Sequence, residues 1–375
     1  AFVRDVYEHN KAVEELDRYH DFGFFKIDPS AYASDGGEYG IPVRRGFNDD
    51  VILGHQRVAA LSFLRDLRGF GLLADVVGSG KTYEACVVLS ELAARDKLHS
   101  ILLIIPDQVY NTWKEVLEVQ FGLGKGVLYE AGRNLDAGSI ECDHVGDGIL
   151  RPRRPMIVKT EDFVTWHEDA QRLLFDVIVV DEAHHLCAEE GRYAKAMKLL
   201  SLMIQTKKKA DSTYCLLLSA TPHTGNLEHM FRLWYFIRCS GGNPSDFDEK
   251  DDMKRSEQYR KEKEYYKNHI CYGATTVMEF IKKVKMKVVA EEYSAEFEKY
   301  LAREKVRPEN FEKLTEGERF LYVQGFLKDN AEIRKNVLDR VASAYHNGVL
   351  RSIMIRQPNT IAKSKVLDNY LFFPM

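Results

Sequence analysis

Between residues 70 and 236, five short apolar runs alternate with longer amphipathic stretches, and this rhythm limits the possible folds more than any other feature. The runs are Gly71-Leu72-Leu73-Ala74, Ile101-Leu102-Leu103-Ile104-Ile105, Met156-Ile157-Val158, Val177-Ile178-Val179-Val180 and Cys215-Leu216-Leu217-Leu218. They are near-continuous rather than alternating, which is how strands buried on both faces read. Residues 83–94, 109–119, 193–204 and 227–237 read as the helices between them. Strands alternating with helices predict a three-layer α/β/α arrangement around a mostly parallel sheet. Residues 134–155 interrupt the rhythm with Gly138, Gly146, Gly148, Pro152 and Pro155, and read as a long surface loop with room for a small hairpin.

With 45% hydrophobic residues among 375, the chain can bury a large core. Its net charge of −4 gives no whole-chain sign of polyanion binding, so any such site must be a local patch. Six cysteines (Cys86, Cys142, Cys187, Cys215, Cys239 and Cys271) are scattered without a C-x-x-C pair. This argues against a zinc site or a disulfide framework. Residues 1–15 are charged throughout, and no apolar run approaches the ~20 residues that cross a bilayer. The expectation is a cytoplasmic protein with no membrane partner.

The first apolar run leads into Asp75-Val76-Val77-Gly78-Ser79-Gly80-Lys81-Thr82 and then a helical stretch. Strand, Gly-rich loop, Lys-Thr and helix form the layout of a phosphate-binding loop. Gly78, Ser79 and Gly80 let backbone N–H groups crowd around phosphate oxygens, and the helix presents its positive end to the same anion. Lys81 reaches the outer phosphates and the Thr82 hydroxyl suits Mg²⁺. A chance loop of this composition is the alternative.

Four apolar residues then end in Asp181-Glu182-Ala183-His184. Carboxylates at the C-terminal tip of a parallel strand point into the crevice where ligands bind. Asp181 suits a Mg²⁺ anchor, and Glu182 suits a base for an attacking water. The same pair would also serve as an acidic cap on the next helix. Leu218-Ser219-Ala220-Thr221-Pro222 ends another buried run, and by itself reads as a helix cap. Gln56, within Gly54-His55-Gln56-Arg57, carries no signal alone.

Taken in order, these segments, with Leu103-Ile104-Ile105-Pro106 followed by Trp113 and with Ser219-Ala220-Thr221-Pro222-His223-Thr224-Gly225, resemble the first RecA-like lobe of superfamily-two helicases. Within them the chain is similar to the Swi/Snf class of double-stranded DNA translocases, and to its bacterial branch, which includes the RNA-polymerase-recycling ATPase. That class carries Asp at the head of its phosphate loop, as Asp75 stands here; Val76-Val77 depart from the Glu-Met of eukaryotic members. The resemblance implies ATP and Mg²⁺ as cofactors. It implies Gln56 as the adenine reader, Gly78 to Thr82 and Asp181 as the triphosphate and metal contacts, and Lys81 and Glu182 as catalytic groups. His184, Ser219 and Thr221 would couple hydrolysis to movement. Pro106 and Lys159-Thr160 would line the DNA track; for Trp113, core packing and DNA contact remain open. Implied partners are double-stranded DNA, a second RecA-like lobe of the same parent chain, and RNA polymerase or another DNA-bound protein.

The resemblance implies an N-terminal flank over residues 1–48, the lobe over 49–240, a helical insertion over 241–347 and a segment over 348–375 leading to the second lobe. The last of these follows from Leu350 to Arg356, though Arg351 and Arg356 are equally readable as surface charges. No second lobe is visible, so the chain reads as a fragment that hydrolyses ATP poorly alone. A composition shift at Gly241-Gly242-Asn243-Pro244 opens the helical part. There, residues 246–268 suggest solvated faces, and 278–300 and 311–345 read as helices. Lys254-Arg255, Arg260-Lys261, Lys282-Lys283, Lys285 and Lys287 would give a basic DNA-gripping face, but a solvated mixed-charge surface is the plainer reading. Alternatives for the function are a strand-separating helicase, a restriction-type translocase subunit, or an ATP-gated interaction module without turnover.

Overall fold

The computed structural model describes residues 54–344, except residues 66, 76–77, 95–96, 121–125, 188–190, 209–212, 221–226, 272–273 and 275–276, and then Met354–Ile355. The N-terminal flank 1–48, Thr221 with the rest of its Pro-His-Thr-Gly run, and most of 348–375 lie outside the described residues.

Among the described residues, seven strands form one sheet in the order β3-β6-β2-β7-β8-β1-β9, and every pairing in it is parallel. They are β1 (Phe70–Leu73), β2 (Ile101–Ile105), β3 (Tyr129–Ala131), β6 (Met156–Lys159), β7 (Val177–Val180), β8 (Tyr214–Leu218) and β9 (Met354–Ile355). The five apolar runs are five of these strands. β3 was not legible in the sequence, because Tyr129-Glu130-Ala131 is a short edge strand with an exposed centre. Inside the 134–155 loop, β4 (Cys142–Gly146) and β5 (Ile149–Pro152) form a separate antiparallel hairpin.

Helices cover both faces of the sheet. Leu73, Leu103, Ile105, Ile157, Val177, Val179, Leu216 and Leu218 share one apolar cluster with α1 (Gly54–Arg65), α2 (Lys81–Ala94) and α3 (Asp107–Glu115). The intervening Leu72, Leu102, Ile104, Val158, Ile178, Val180 and Leu217 are equally buried, facing the other way. That two-sided burial is why the runs carry no alternation. On the second face, Phe236 of α6 (Leu227–Arg238) meets Phe70 at a ring-centroid distance of 5.7 Å. This is the expected RecA-like α/β lobe.

The bottom edge of the sheet is tied by Asp176, whose Oδ2 accepts from the backbone N–H groups of His99 (2.8 Å) and Ser100 (3.1 Å). Ser100 Oγ donates to the Leu174 carbonyl at 2.9 Å. Asp176 therefore anchors the start of β7, at the opposite end from Asp181.

The described residues divide into two compact units. One holds all the described strands, the chain before residue 221 and residues 232–260; the other takes residues 227–231 and the described chain from Lys261 to Ala344. In the first, residues 250–254, 257, 258 and 260 are exposed, as their charges suggest, but Asp246 and Arg255 are buried. Asp246 is fully buried and accepts from Tyr235 Oη (2.7 Å) and from the Ser256 N–H and hydroxyl (2.6 Å each). Arg255, 5% exposed, donates to the Glu249 carbonyl and to Tyr259 Oη. Partner-rich burial of these two groups corrects the expectation at Asp246 and Arg255 alone, and removes Arg255 from any basic face.

The second unit is helical: α9 (Val277–Glu292), α10 (Ser294–Arg303), α11 (Pro308–Glu312), α12 (Glu316–Asp329) and α13 (Ala331–Ala344). The two long helices expected over 278–300 and 311–345 are thus five. The Thr315–Glu318 capping box starts α12 afresh. Tyr293 and Asn330 stand at the other breaks, outside helical geometry. Phe297 packs edge-on against Phe311 and Phe326, which closes the unit's small core. Lys283 pairs with Glu279 one turn away, in keeping with a solvated mixed-charge surface. Among the described residues, no helix is long and apolar enough to cross a membrane.

Candidate active site

Strand register gathers the candidate residues at one edge. Leu73 pairs with Leu218, and Val180 with Leu217, so β1, β7 and β8 end together. The Ser219 N–H donates to the Leu73 carbonyl at 3.1 Å, and the Asp181 N–H to the Ile104 carbonyl at 2.9 Å. The phosphate-loop residues, Asp181-Glu182 and Ser219 therefore all emerge from the C-terminal edge, as ligand-binding residues do in parallel sheets.

Gly78 and Gly80 take φ values of 82° and 90°, a region glycine enters without steric cost. They turn the chain sharply between β1 and α2. Space around Gly78 is open, since a Cβ placed there meets nothing within 4 Å. Gly80 is the reverse: a Cβ there would stand 2.1 Å from Gln56 Nε2. Gln56, 3% exposed on α1, donates to the Ser79 carbonyl at 3.0 Å. Lys81 Nζ donates to the Asp75 carbonyl at 2.9 Å, drawing its ammonium across the loop. Thr82 lies in the first turn of α2, half-buried.

Asp181 is 9% exposed, and both its oxygens are held. Oδ2 accepts from the Trp113 indole N–H at 2.8 Å, and Oδ1 from the Glu182 backbone N–H at 2.9 Å. Burial raises its carboxyl above the ordinary aspartate value, while the Trp113 bond and the Lys81 charge oppose that rise. Glu182 has φ 48°, a left-handed backbone that a residue with a side chain holds at about 1–3 kcal/mol. Burial pushes its carboxyl up, but the His184 hydrogen bond, the His184 charge and the Lys81 ammonium outweigh it and hold the group below the ordinary glutamate value. Lys81 thus acts electrostatically on both carboxylates, and all three residues follow strands that end on the same edge of the sheet.

His184 Nδ1 lies 2.9 Å from Ser219 Oγ and 3.2 Å from Glu182 Oε2, and Ser219 Oγ donates to Glu182 Oε2 at 3.4 Å. This triangle joins the tips of β7 and β8. Thr221 falls outside the described residues.

The donor set suits Mg²⁺. Asp181 offers one carboxylate and Thr82 one hydroxyl, both hard oxygen ligands of the kind Mg²⁺ takes together with substrate phosphates and water. Among the described residues, no group of three or more His, Cys, Asp or Glu forms a cage for a metal ion. An ion shared with phosphates needs no such cage.

Pro106 and Thr160 follow β2 and β6, where Ile105 pairs with Lys159, so register sets them side by side. Lys159 Nζ forms an ion pair with Asp107 and lies 5.4 Å from the Tyr110 ring centroid. Thr160 is 4% exposed, and its hydroxyl is buried without a hydrogen-bond partner. Trp113, fully buried, belongs to the core, which decides between its two readings. Sequence reasoning also passed over Glu84, fully buried in the first turn of α2. Burial, and then the neighbouring Asp75 charge, raise its carboxyl well above the ordinary glutamate value. An acid just after Lys81-Thr82 on an otherwise apolar helix face was the available signal.

The chain is similar to several known proteins. It is 27% identical over 210 residues to the uncharacterized ATP-dependent helicase YqhH of Bacillus subtilis, covering 54% of this chain and 32% of that protein. It is 30% identical over 186 residues to the RNA polymerase-associated protein RapA of Histophilus somni, covering 48% of this chain and 18% of RapA. The chain thus spans a third or less of these relatives' length. Among solved structures, the Sulfolobus solfataricus SWI2/SNF2 ATPase core in complex with dsDNA aligns over 84% of this chain and 64% of its own, with 17% identity and a TM-score of 0.40. The model of the SNF2-related domain matches residues 55–357, and with most of its length inside that match the chain belongs to the SNF2-related domain family.

Proposed function

We propose that this chain is the ATP-binding lobe of a double-stranded DNA translocase, which uses Mg²⁺-dependent ATP hydrolysis to remodel or displace a protein on DNA. The observation that carries the reading is the strand register that brings the phosphate loop with Lys81, and Asp181-Glu182, to one C-terminal sheet edge in a SNF2-family domain.

In this reading Gly78, Ser79 and Gly80 offer backbone N–H groups to the phosphates, and the α2 N-terminus adds its dipole. Lys81 exchanges the Asp75 carbonyl for phosphate oxygens. Asp181 and Thr82 hold Mg²⁺, which neutralises phosphate charge when bound. Gln56, already at the loop, reads the adenine edge. Glu182, kept ionised by His184, accepts a proton from the attacking water. His184 and Ser219 carry the state of Glu182 to β8. Pro106 and Thr160 are buried and shape the loop edge that borders the DNA backbone, where contact is to phosphate and without sequence preference. A second lobe supplies the arginine that stabilises charge on the transferred phosphoryl group, worth about 10³–10⁵ in rate. RNA polymerase is a candidate for the displaced protein, since a relative is named for its association with it.

The test is ATPase activity of the parent protein with and without duplex DNA. Stimulation by duplex that vanishes in Glu182→Gln and Lys81→Ala supports the proposal. Unwinding of a forked duplex would favour a strand-separating helicase, and DNA-insensitive nucleotide binding without turnover would favour an interaction module.

A further inference from the structure

The Trp113 indole N–H and Asp181 Oδ2, 2.8 Å apart and buried, come from segments 68 residues apart in sequence. Trp113 has no exposed surface and sits in the same apolar cluster as Leu103, Ile105 and Val179. Its ring is therefore fixed by packing, and its one polar atom points at the carboxylate. The other oxygen of Asp181 is held by the Glu182 N–H, on a residue with constrained backbone. An aspartate with both oxygens held has no freedom to swing about its side-chain torsions. Trp113 lies two turns into α3, whose first residue, Asp107, pairs with Lys159 beside Thr160.

We infer that Trp113 is a positioning residue for Asp181: its indole N–H fixes the carboxylate rotamer that receives Mg²⁺, and α3 joins this anchor to the Pro106–Lys159 edge. The inference rests on the proposed magnesium role of Asp181. Partners of a metal-binding carboxylate orient it, and losing one typically costs about 10–100-fold in metal affinity. A tryptophan that only filled space would have no such effect.

The experiment titrates Mg²⁺ against a fluorescent ATP analogue bound to this chain, in wild type, Trp113→Phe, Asp181→Ala and the double variant. Trp113→Phe keeps an aromatic ring and removes the N–H. The expected result is about a tenfold rise in the Mg²⁺ concentration for half-maximal binding, with binding in EDTA unchanged. The double variant matches Asp181→Ala, because two groups acting through one contact do not add. A Trp113→Phe curve that overlays wild type while Asp181→Ala shifts overturns the inference and leaves the proposed function standing. An Mg²⁺ dependence unmoved by Asp181→Ala, or absent in wild type, overturns the magnesium reading and the inference with it. Should Trp113→Phe fail to fold, the wild-type indole N–H resonance, assigned through its contacts to Asp181, supplies the decision. A downfield, slowly exchanging signal that moves on adding Mg²⁺ with the analogue is expected. A signal at the free-indole position that stays still overturns the proposal.

Discussion

Gln56 Nε2 donates to the Ser79 carbonyl across 3.0 Å, so the helix before β1 and the loop after it are fastened to each other. Gly80 is the residue that permits this approach, with φ 90° and no Cβ to strike the amide. Gly80→Ala would bring a left-handed penalty of about 1–2 kcal/mol and displace Gln56. The expected outcome is nucleotide binding at least about tenfold weaker, measured by calorimetric titration, with the sheet intact by circular dichroism.

His184 is one of the groups that set where Glu182 titrates, beside burial, Lys81 and His185. Its hydrogen bond and charge lower the Glu182 carboxyl, and burial alone would raise it. A base with a depressed value is ionised at every pH above the ordinary glutamate range and loses activity only below it. Removing His184 removes its share of the lowering and leaves those of Lys81 and His185, so Glu182 protonates at higher pH. The acid limb of the ATPase pH profile is therefore expected to move upward in His184→Ala, and an unmoved limb would separate His184 from the base.

The cysteines should divide into two classes. Cys86, Cys187, Cys215 and Cys271 are buried and Cys142 and Cys239 are not, and burial pushes the Cys187 and Cys271 thiols up to about 12. Thiolate is the reactive form. A disulfide reagent at pH 8 is expected to modify Cys142 and Cys239 in the native chain and all six in denaturant, as counted by mass spectrometry.

In the helical unit, Thr315 accepts from the Glu318 N–H while the Glu318 carboxylate accepts from the Thr315 N–H. Thr315→Ala is expected to lower the stability of this unit by about 1 kcal/mol and to leave nucleotide affinity unchanged. Thermal unfolding with and without an ATP analogue separates the two effects.

The sheet was legible because its faces are both buried, so each strand is written as an unbroken apolar run. β3 was not, since an edge strand of three residues needs no such run. The placement of Lys81 and Asp181 was legible because each follows a run, and parallel strands end on one edge; Ser219 by itself read as part of a helix cap and stood out only through the family resemblance. The Trp113–Asp181 bond was not, because it depends on how α3 packs over β2 and β7. Charge composition misled at Asp246 and Arg255, where hydrogen bonds from Tyr235 and Ser256 to Asp246, and from Arg255 to Tyr259, make burial tolerable. Composition reports how many polar groups a segment has, not whether partners await them.

Both neighbours of β1 come from far downstream: β8 on one side and, beyond the whole helical excursion, β9 on the other. Closing such distant pairings is slow, because loop entropy must be overcome before the contacts form. During synthesis, then, the strand that bears the nucleotide loop stands bare-edged until Met354 and Ile355 have left the ribosome. A nascent chain halted ahead of them carries every residue of the phosphate cradle and still lacks its last supporting rail.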